Sequence, residues 1–180
     1  ISSAASDVYK RQMLIHLRSL RKMQTGYGPQ IREMLAEAEN ERMHLMFFIE
    51  IAKPNAFERL LVITAQGVFM TFYSFMYIFF PKTSHRMIGY FEDEAVKSYT
   101  EYLELVESGS VMNINAPKIA IEYYGLSNKA KLSDLIRCVR EDEMHHSDVN
   151  HNYADELGSS SKVNHSSELK ISTDNNKKVA

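Results

Sequence analysis

The sequence predicts an all-α fold, a bundle of long helices around a buried set of carboxylates and imidazoles. Apolar residues recur with a period near 3.6 along several long stretches, and no strand-like alternation competes with them. The pattern Glu-x-x-His interrupts the apolar face of two such stretches, at Glu41 with His44 and at Glu143 with His146. At 180 residues with 44% hydrophobic content, the chain can bury one core and is too short for two comfortable domains.

The elements follow in order. Residues 1–12, ISSAASDVYKRQ, are small and polar and fit neither period, so they read as a foreign start to the chain. Residues 13–24 read as a helix, broken by Gly26-Tyr27-Gly28-Pro29. The next helix covers 31–52 and ends at Lys53-Pro54-Asn55; a third covers 57–80 and stops at Pro81. A fourth covers 84–107. After a loop from Gly109 through Pro117 come a short helical piece at 119–124 and a last long helix at 132–157, with Ser133 expected as its cap. From Gly158 the composition turns to Ser, Asn and Lys. Residues 158–180 cannot repay the entropy of ordering and read as a disordered polar tail, leaving 13–157 as the functional domain.

Composition narrows the function. With 21 basic and 23 acidic residues interleaved, there is no electrostatic footprint for nucleic acid. The single cysteine, Cys138, permits no internal disulfide or thiolate cage; it reads as a small buried hydrophobe in a chain at home in a reducing compartment. Trp is absent, but 10 Met, 10 Tyr and 9 Phe concentrate apolar mass in mid-chain. From Leu60 to Phe80 no residue is charged over 21 positions, which meets the length test for a membrane span. Thr64, Gln66, Thr71 and Ser74 break up that stretch, so a bundle helix with one face against protein and another in the membrane interface fits it as well, and an ordinary core helix is the third reading.

On a helical wheel, the inward stripe of 31–52 reads Ile31, Met34, Leu35, Ala38, Glu41, His44, Leu45, Phe48, Ile51, and that of 132–157 reads Leu132, Leu135, Ile136, Val139, Glu143, His146, Val149, Tyr153. Burying unpartnered carboxylates costs several kcal/mol each, so two such faces require a compensating charge between them. A metal cluster supplies it. With 7 His in 180 residues, any Glu has about a 4% chance of a His three positions on, so one pair means little and two inward pairs mean much. In the run Glu92-Asp93-Glu94, the stripe Ile88, Glu92, Ala95, Tyr99, Tyr102, Val106 turns Glu92 inward and leaves Asp93 more exposed. Tyr99 lies two turns beyond and leans back toward the same centre. Carboxylates with one imidazole per metal and no thiolate suit iron or manganese. The ferritin-like di-metal pattern takes a lone Glu from each of two helices and Glu-x-x-His from each of two others; the sequence supplies five of those six ligands.

The run Ala36-Glu37-Ala38-Glu39-Asn40-Glu41-Arg42-Met43-His44-Leu45 resembles the most recognisable motif of the alternative oxidases. Ala52-Lys53-Pro54, Leu61 through Phe69, His85 through Tyr90, Glu92-Asp93-Glu94-Ala95, and Glu143-Met144-His145-His146 through His151 resemble the family in the same order. The resemblance implies a monotopic homodimer on the matrix face of the mitochondrial inner membrane, which oxidises ubiquinol and reduces O2 to water without pumping protons. It implies two iron ions held at Glu41, His44, Glu92, Glu143 and His146. It implies Tyr99 beside the centre as a catalytic residue, a quinol pocket with Ala95, Ser98 and Tyr99, and hydrogen-bonding partners Asn40, Tyr123 and Asp142. Departures are the lack of the family's first helix and of the Glu-bearing start of its second, with residues 1–12 in their place, so weak iron binding and little or no turnover are expected of this bundle, incomplete at its N-terminus. Glu92-Asp93-Glu94 stands for a run of three Glu, and Tyr124 for the usual Trp. The rival readings are a plastid-type plastoquinol oxidase, a ferritin-type iron-binding protein without a quinol site, and a bundle whose inward Glu and His merely pair with one another.

Overall fold

The computed structural model describes residues 13–23 and 26–177, with side chains to residue 159, so residues 1–12 lie outside the described part. It is all-α. Helix α1 covers 13–22, α2 Gly28–Ala52, α3 Ala56–Phe79, α4 Pro81–Glu107, α5 Lys118–Tyr124 and α6 Leu132–Lys177. Among the described residues, the one β feature is an isolated bridge, Asn115 with Lys131, that ties the loop before α5 to the start of α6.

Local chemistry sets the boundaries. Proline is accepted in a first helical turn because its missing N–H has no partner there anyway. Pro29 and Pro81 accordingly open α2 and α4, three residues earlier than the sequence suggests in each case. At α3, Asn55 accepts from the amides of Phe57 and Glu58 while the Glu58 carboxylate accepts from the amide of Asn55, a reciprocal capping box. Helix α5 ends at Gly125, whose φ of +63° is costly for any residue with a Cβ.

Two expectations about the last helix are corrected. Ser133 is not the cap: it sits inside the first turn, where its amide donates to Asn113 Oδ1 and its hydroxyl accepts from Asn113 Nδ2, while Asp134 accepts from the amide of Lys131. The loop residue Asn113 does the capping from outside the helix. The helix also runs past Leu157 to Lys177, because Gly158 costs only about 1 kcal/mol relative to Ala and no proline follows to stop it.

Two apolar clusters bracket the centre of the bundle. One joins Met43 and Phe47 of α2, Tyr99, Leu103 and Val106 of α4, Ala120 of α5, and Leu132, Leu135, Ile136 and Val139 of α6. The other joins Ile15 of α1 with Met34 and Ala38 of α2, flanked by Tyr153 of α6. Helices α4 and α6 pack tightly where Gly89 meets His151: a Cβ on residue 89 would lie 2.6 Å from the imidazole. Asp93 fastens the same seam, accepting from Ser147 Oγ at 2.6 Å and facing His151 Nε2 at 3.1 Å.

Helix α3 behaves differently. It packs chiefly on α4, its mean hydropathy reaches 1.5, and only 6% of its most apolar window is buried. Phe57, Leu60, Leu61, Ile63, Phe72 and Phe75 all stand more than half exposed. By length and composition α3 could cross a membrane.

Candidate metal centre

Between the two apolar clusters lies a layer of buried charge. Glu41 and His44 come from α2, Glu92 from α4, and Glu143 and His146 from α6, and all five are buried. One ligand atom from each of Glu41, Glu92, Glu143 and His146 lies within 4.8 Å of the others. His44 turns its Nδ1 toward this group, 3.3 Å from Glu143 Oε1 and 3.8 Å from Glu41 Oε1. His146 Nδ1 lies 3.0 Å from Glu41 Oε1.

The donor set is suited to cations. Buried polar atoms nearly always find a partner. Here Glu41 Oε2, Glu92 Oε1, both oxygens of Glu143 and Nδ1 of His44 are buried without a hydrogen bond. Five such atoms converging on one place fit metal coordination, and oxygen with imidazole and no thiolate fits iron or manganese. Protons stand in for the cation in the metal-free chain. Burial, reinforced by the Glu41 charge and by Glu143, holds the Glu92 carboxyl well above the usual range. Burial raises Glu41 as well, against the bond to His146. Burial would raise Glu143 as well, but the neighbouring His44, Glu92 and His146 outweigh it and lower this carboxyl. His44 is opposed by burial too, but Asp142, Glu143 and Glu41 push it up to about 9.

Around the ligands is a second hydrogen-bonded layer. Asp142 Oδ2 accepts from Asn40 Nδ2 at 2.8 Å, from the Tyr124 hydroxyl at 2.6 Å, and faces His44 Nε2 at 3.1 Å. Asn40 Nδ2 also reaches the Tyr123 hydroxyl at 3.2 Å. An Nε2–H directed at Asp142 leaves Nδ1 of His44 facing the carboxylates, so that a cation displacing the Nδ1 proton meets the tautomer a metal requires. Tyr99 is buried, stacks on Phe48 at 5.7 Å between ring centroids, and its hydroxyl makes no hydrogen bond. Burial, then the charges of Glu143, Glu41 and Glu92, keep that phenol protonated. Ala95 lies partly buried one turn before Tyr99, against the larger apolar cluster. Ser98 is exposed and donates to the Glu94 carbonyl.

Sequence reasoning missed four residues of this region. Tyr124, noted only as a departure, touches both Asp142 and His44. Glu37 is 5% exposed and accepts from Asn150 Nδ2 at 3.0 Å; Asn150 Oδ1 in turn lies 3.3 Å from His85 Nδ1. The available signal for Glu37 was its position one turn before Glu41. Cys138 is half-buried rather than buried, with its thiol raised by that burial and by neighbouring acids such as Asp142, which makes it a poor nucleophile.

The chain matches the family described as alternative oxidase over residues 4–155. It is 55% identical over 139 residues to ubiquinol oxidase 2, mitochondrial, of Glycine max, covering 77% of this chain and 41% of that protein. It is 54% identical over 139 residues to ubiquinol oxidase 1a, mitochondrial, of Oryza sativa subsp. japonica, with 77% and 42% covered. It is 51% identical over 145 residues to ubiquinol oxidase 1c, mitochondrial, of Arabidopsis thaliana, with 81% and 44% covered. The chain thus spans about two fifths of the length of these curated relatives.

Proposed function

The chain belongs to the alternative oxidase family, and from that premise we propose that its protein is a mitochondrial ubiquinol:oxygen oxidoreductase that reduces O2 to water at a non-haem di-iron centre without pumping protons. The observation that carries this reading is the convergence of Glu41, Glu92, Glu143 and His146, all buried, within 4.8 Å. Glu41, His44, Glu92, Glu143 and His146 would hold two iron ions, whose redox chemistry accepts electrons from quinol and delivers them to O2.

The protein's own groups have distinct tasks. Asp142 fixes the ring of His44 and keeps a proton on Nε2, with Asn40 and Tyr124 in turn holding Asp142 and Tyr123 accepting from Asn40. Tyr99 presents a protonated phenol against the carboxylates, held in orientation by Phe48, and is the group through which a quinol lying by Ala95 and Ser98 contacts the centre. The apolar clusters on both sides keep bulk water off the reacting groups. The exposed apolar surface of α3, with Tyr90 and Phe91 of α4, supports attachment to one face of the membrane, the side from which a lipid-soluble quinol arrives. Membership of the family supports the matrix face of the inner membrane and a homodimer.

The test joins this chain to the upstream segment of the Glycine max relative and measures bound iron together with cyanide-resistant, ubiquinol-dependent O2 uptake. Two irons per chain with quinol-driven uptake is the expected result. Iron bound without quinol-driven uptake would make the protein an iron-binding bundle and overturn the oxidase reading.

A further inference from the structure

A cleft of about 260 Å³ opens between α2 and α6, and Tyr99 does not line it. Glu33, Glu37 and Asn40 line it from α2, and Asp142, His145 and His146 from α6; no Lys or Arg contributes to its wall. The residues change character with depth. Glu33 is exposed and bonded to the Tyr153 hydroxyl, Glu37 is 5% exposed, and His146 at the floor belongs to the group of buried ligands. Glu37 sits one helical turn from Glu41, and its charge is felt by His146 and by Glu92. The larger cleft of about 750 Å³ beside Asp93 and Lys97 reaches none of these ligands.

We propose that the cleft between α2 and α6 is the route by which a divalent cation, ferrous iron in the oxidase reading, is loaded into the centre, with Glu33 gathering the ion at the mouth and Glu37 relaying it to His146 and Glu41. The proposal rests on the metal centre of the preceding section. Its physical basis is desolvation: a hydrated cation cannot enter a buried site in one step, and carboxylates spaced along the path replace its waters in turn. A wall carrying acids and no bases also concentrates cations at its mouth, an effect that salt screens. A relay group differs from a ligand in one measurable respect: it changes the rates of uptake and release together and leaves the affinity where it was.

The experiment follows cobalt(II) chloride binding to the metal-free full chain by stopped-flow absorbance, with release measured by chelator. Glu33→Gln, Glu37→Gln and Ala36→Trp, the last filling the cleft, are compared with Glu39→Gln, an exposed residue paired with Arg42. The route predicts that Glu37→Gln and Ala36→Trp slow uptake and release alike by threefold or more at unchanged affinity. It also predicts that Glu33→Gln weakens the salt dependence of uptake and that Glu39→Gln does nothing. Should Glu37→Gln fail to fold, the two surface variants decide. Uptake rates equal to the parent's in all variants would overturn the route alone. A lowered affinity with faster release in Glu37→Gln would make it a ligand and also overturn the relay. Failure of the parent to bind cobalt at all would overturn the route and the metal centre together.

Discussion

His44 Nε2 and Asp142 Oδ2 lie 3.1 Å apart, and the same oxygen accepts the Tyr124 hydroxyl, so one carboxylate on α6 sets the tautomer of an imidazole on α2. Removing that control is expected to weaken metal binding without touching a ligand. Asp142→Ala should cost 10- to 100-fold in ferrous or cobaltous affinity, the usual effect of losing such a partner, and Tyr124→Phe less. Titration of the metal-free variants checks this, and an unaltered affinity in Asp142→Ala would count against it.

Burial and the neighbouring Glu41 hold the Glu92 carboxyl well above its usual range in the metal-free chain, which favours its neutral form. Glu92→Gln, which mimics that form, should leave the unfolding midpoint of the metal-free protein within a few degrees of the parent, while metal-induced stabilisation is lost. A midpoint lowered as far as by a core truncation such as Leu135→Ala, expected to cost about 2–5 kcal/mol, would show that Glu92 is ionised.

Stability against pH follows from the same groups. His44 is raised from 6.5 to about 9, so its contribution is complete below 6.5 and disappears as pH rises through 9. Glu41 and Glu92, raised by burial, act in the same direction: the unfolded chain gives up their protons first, so stability falls as pH climbs above their ordinary value of 4.5. Asp142 and Asp93 are lowered and contribute only above the ordinary carboxylate range, failing in acid. The metal-free protein should lose thermal stability between pH 6.5 and 9, at about 2–4 °C for each kcal/mol, and metal should flatten that decline. A midpoint rising across this window would contradict the assignment.

The Tyr99 hydroxyl is buried without a hydrogen bond, so Tyr99→Phe removes an unsatisfied polar atom. Stability should be unchanged or rise by about 1 kcal/mol. Quinol oxidation by the protein lengthened with the relative's upstream segment should nonetheless fall at least tenfold. Equal turnover would remove Tyr99 from the reaction.

The sequence made the two Glu-x-x-His pairs legible because three-residue spacing is a property of the helix alone, and Glu92 legible because its stripe is otherwise apolar. Glu37 was not legible. Its burial depends on Asn150, 113 positions away on α6. The buried face of α2 also departs from the periodic stripe, placing Phe47 in the core with no exposure and leaving Leu35, counted inward by periodicity, 46% exposed. Ser133 misled for a related reason. The residue type favoured a cap, but Asn113 reaches in from another segment and occupies that amide first.

Helix α3 has a consequence for any study of this protein in solution. A helix that conceals 6% of its greasiest stretch, with Tyr73 its one wholly buried side chain, presents water with a surface that favours clumping. The buried clusters draw on the other helices, whereas willingness to stay dispersed is governed by α3. A detergent or a polar resurfacing of α3 can therefore rescue handling while leaving the melting behaviour where it was.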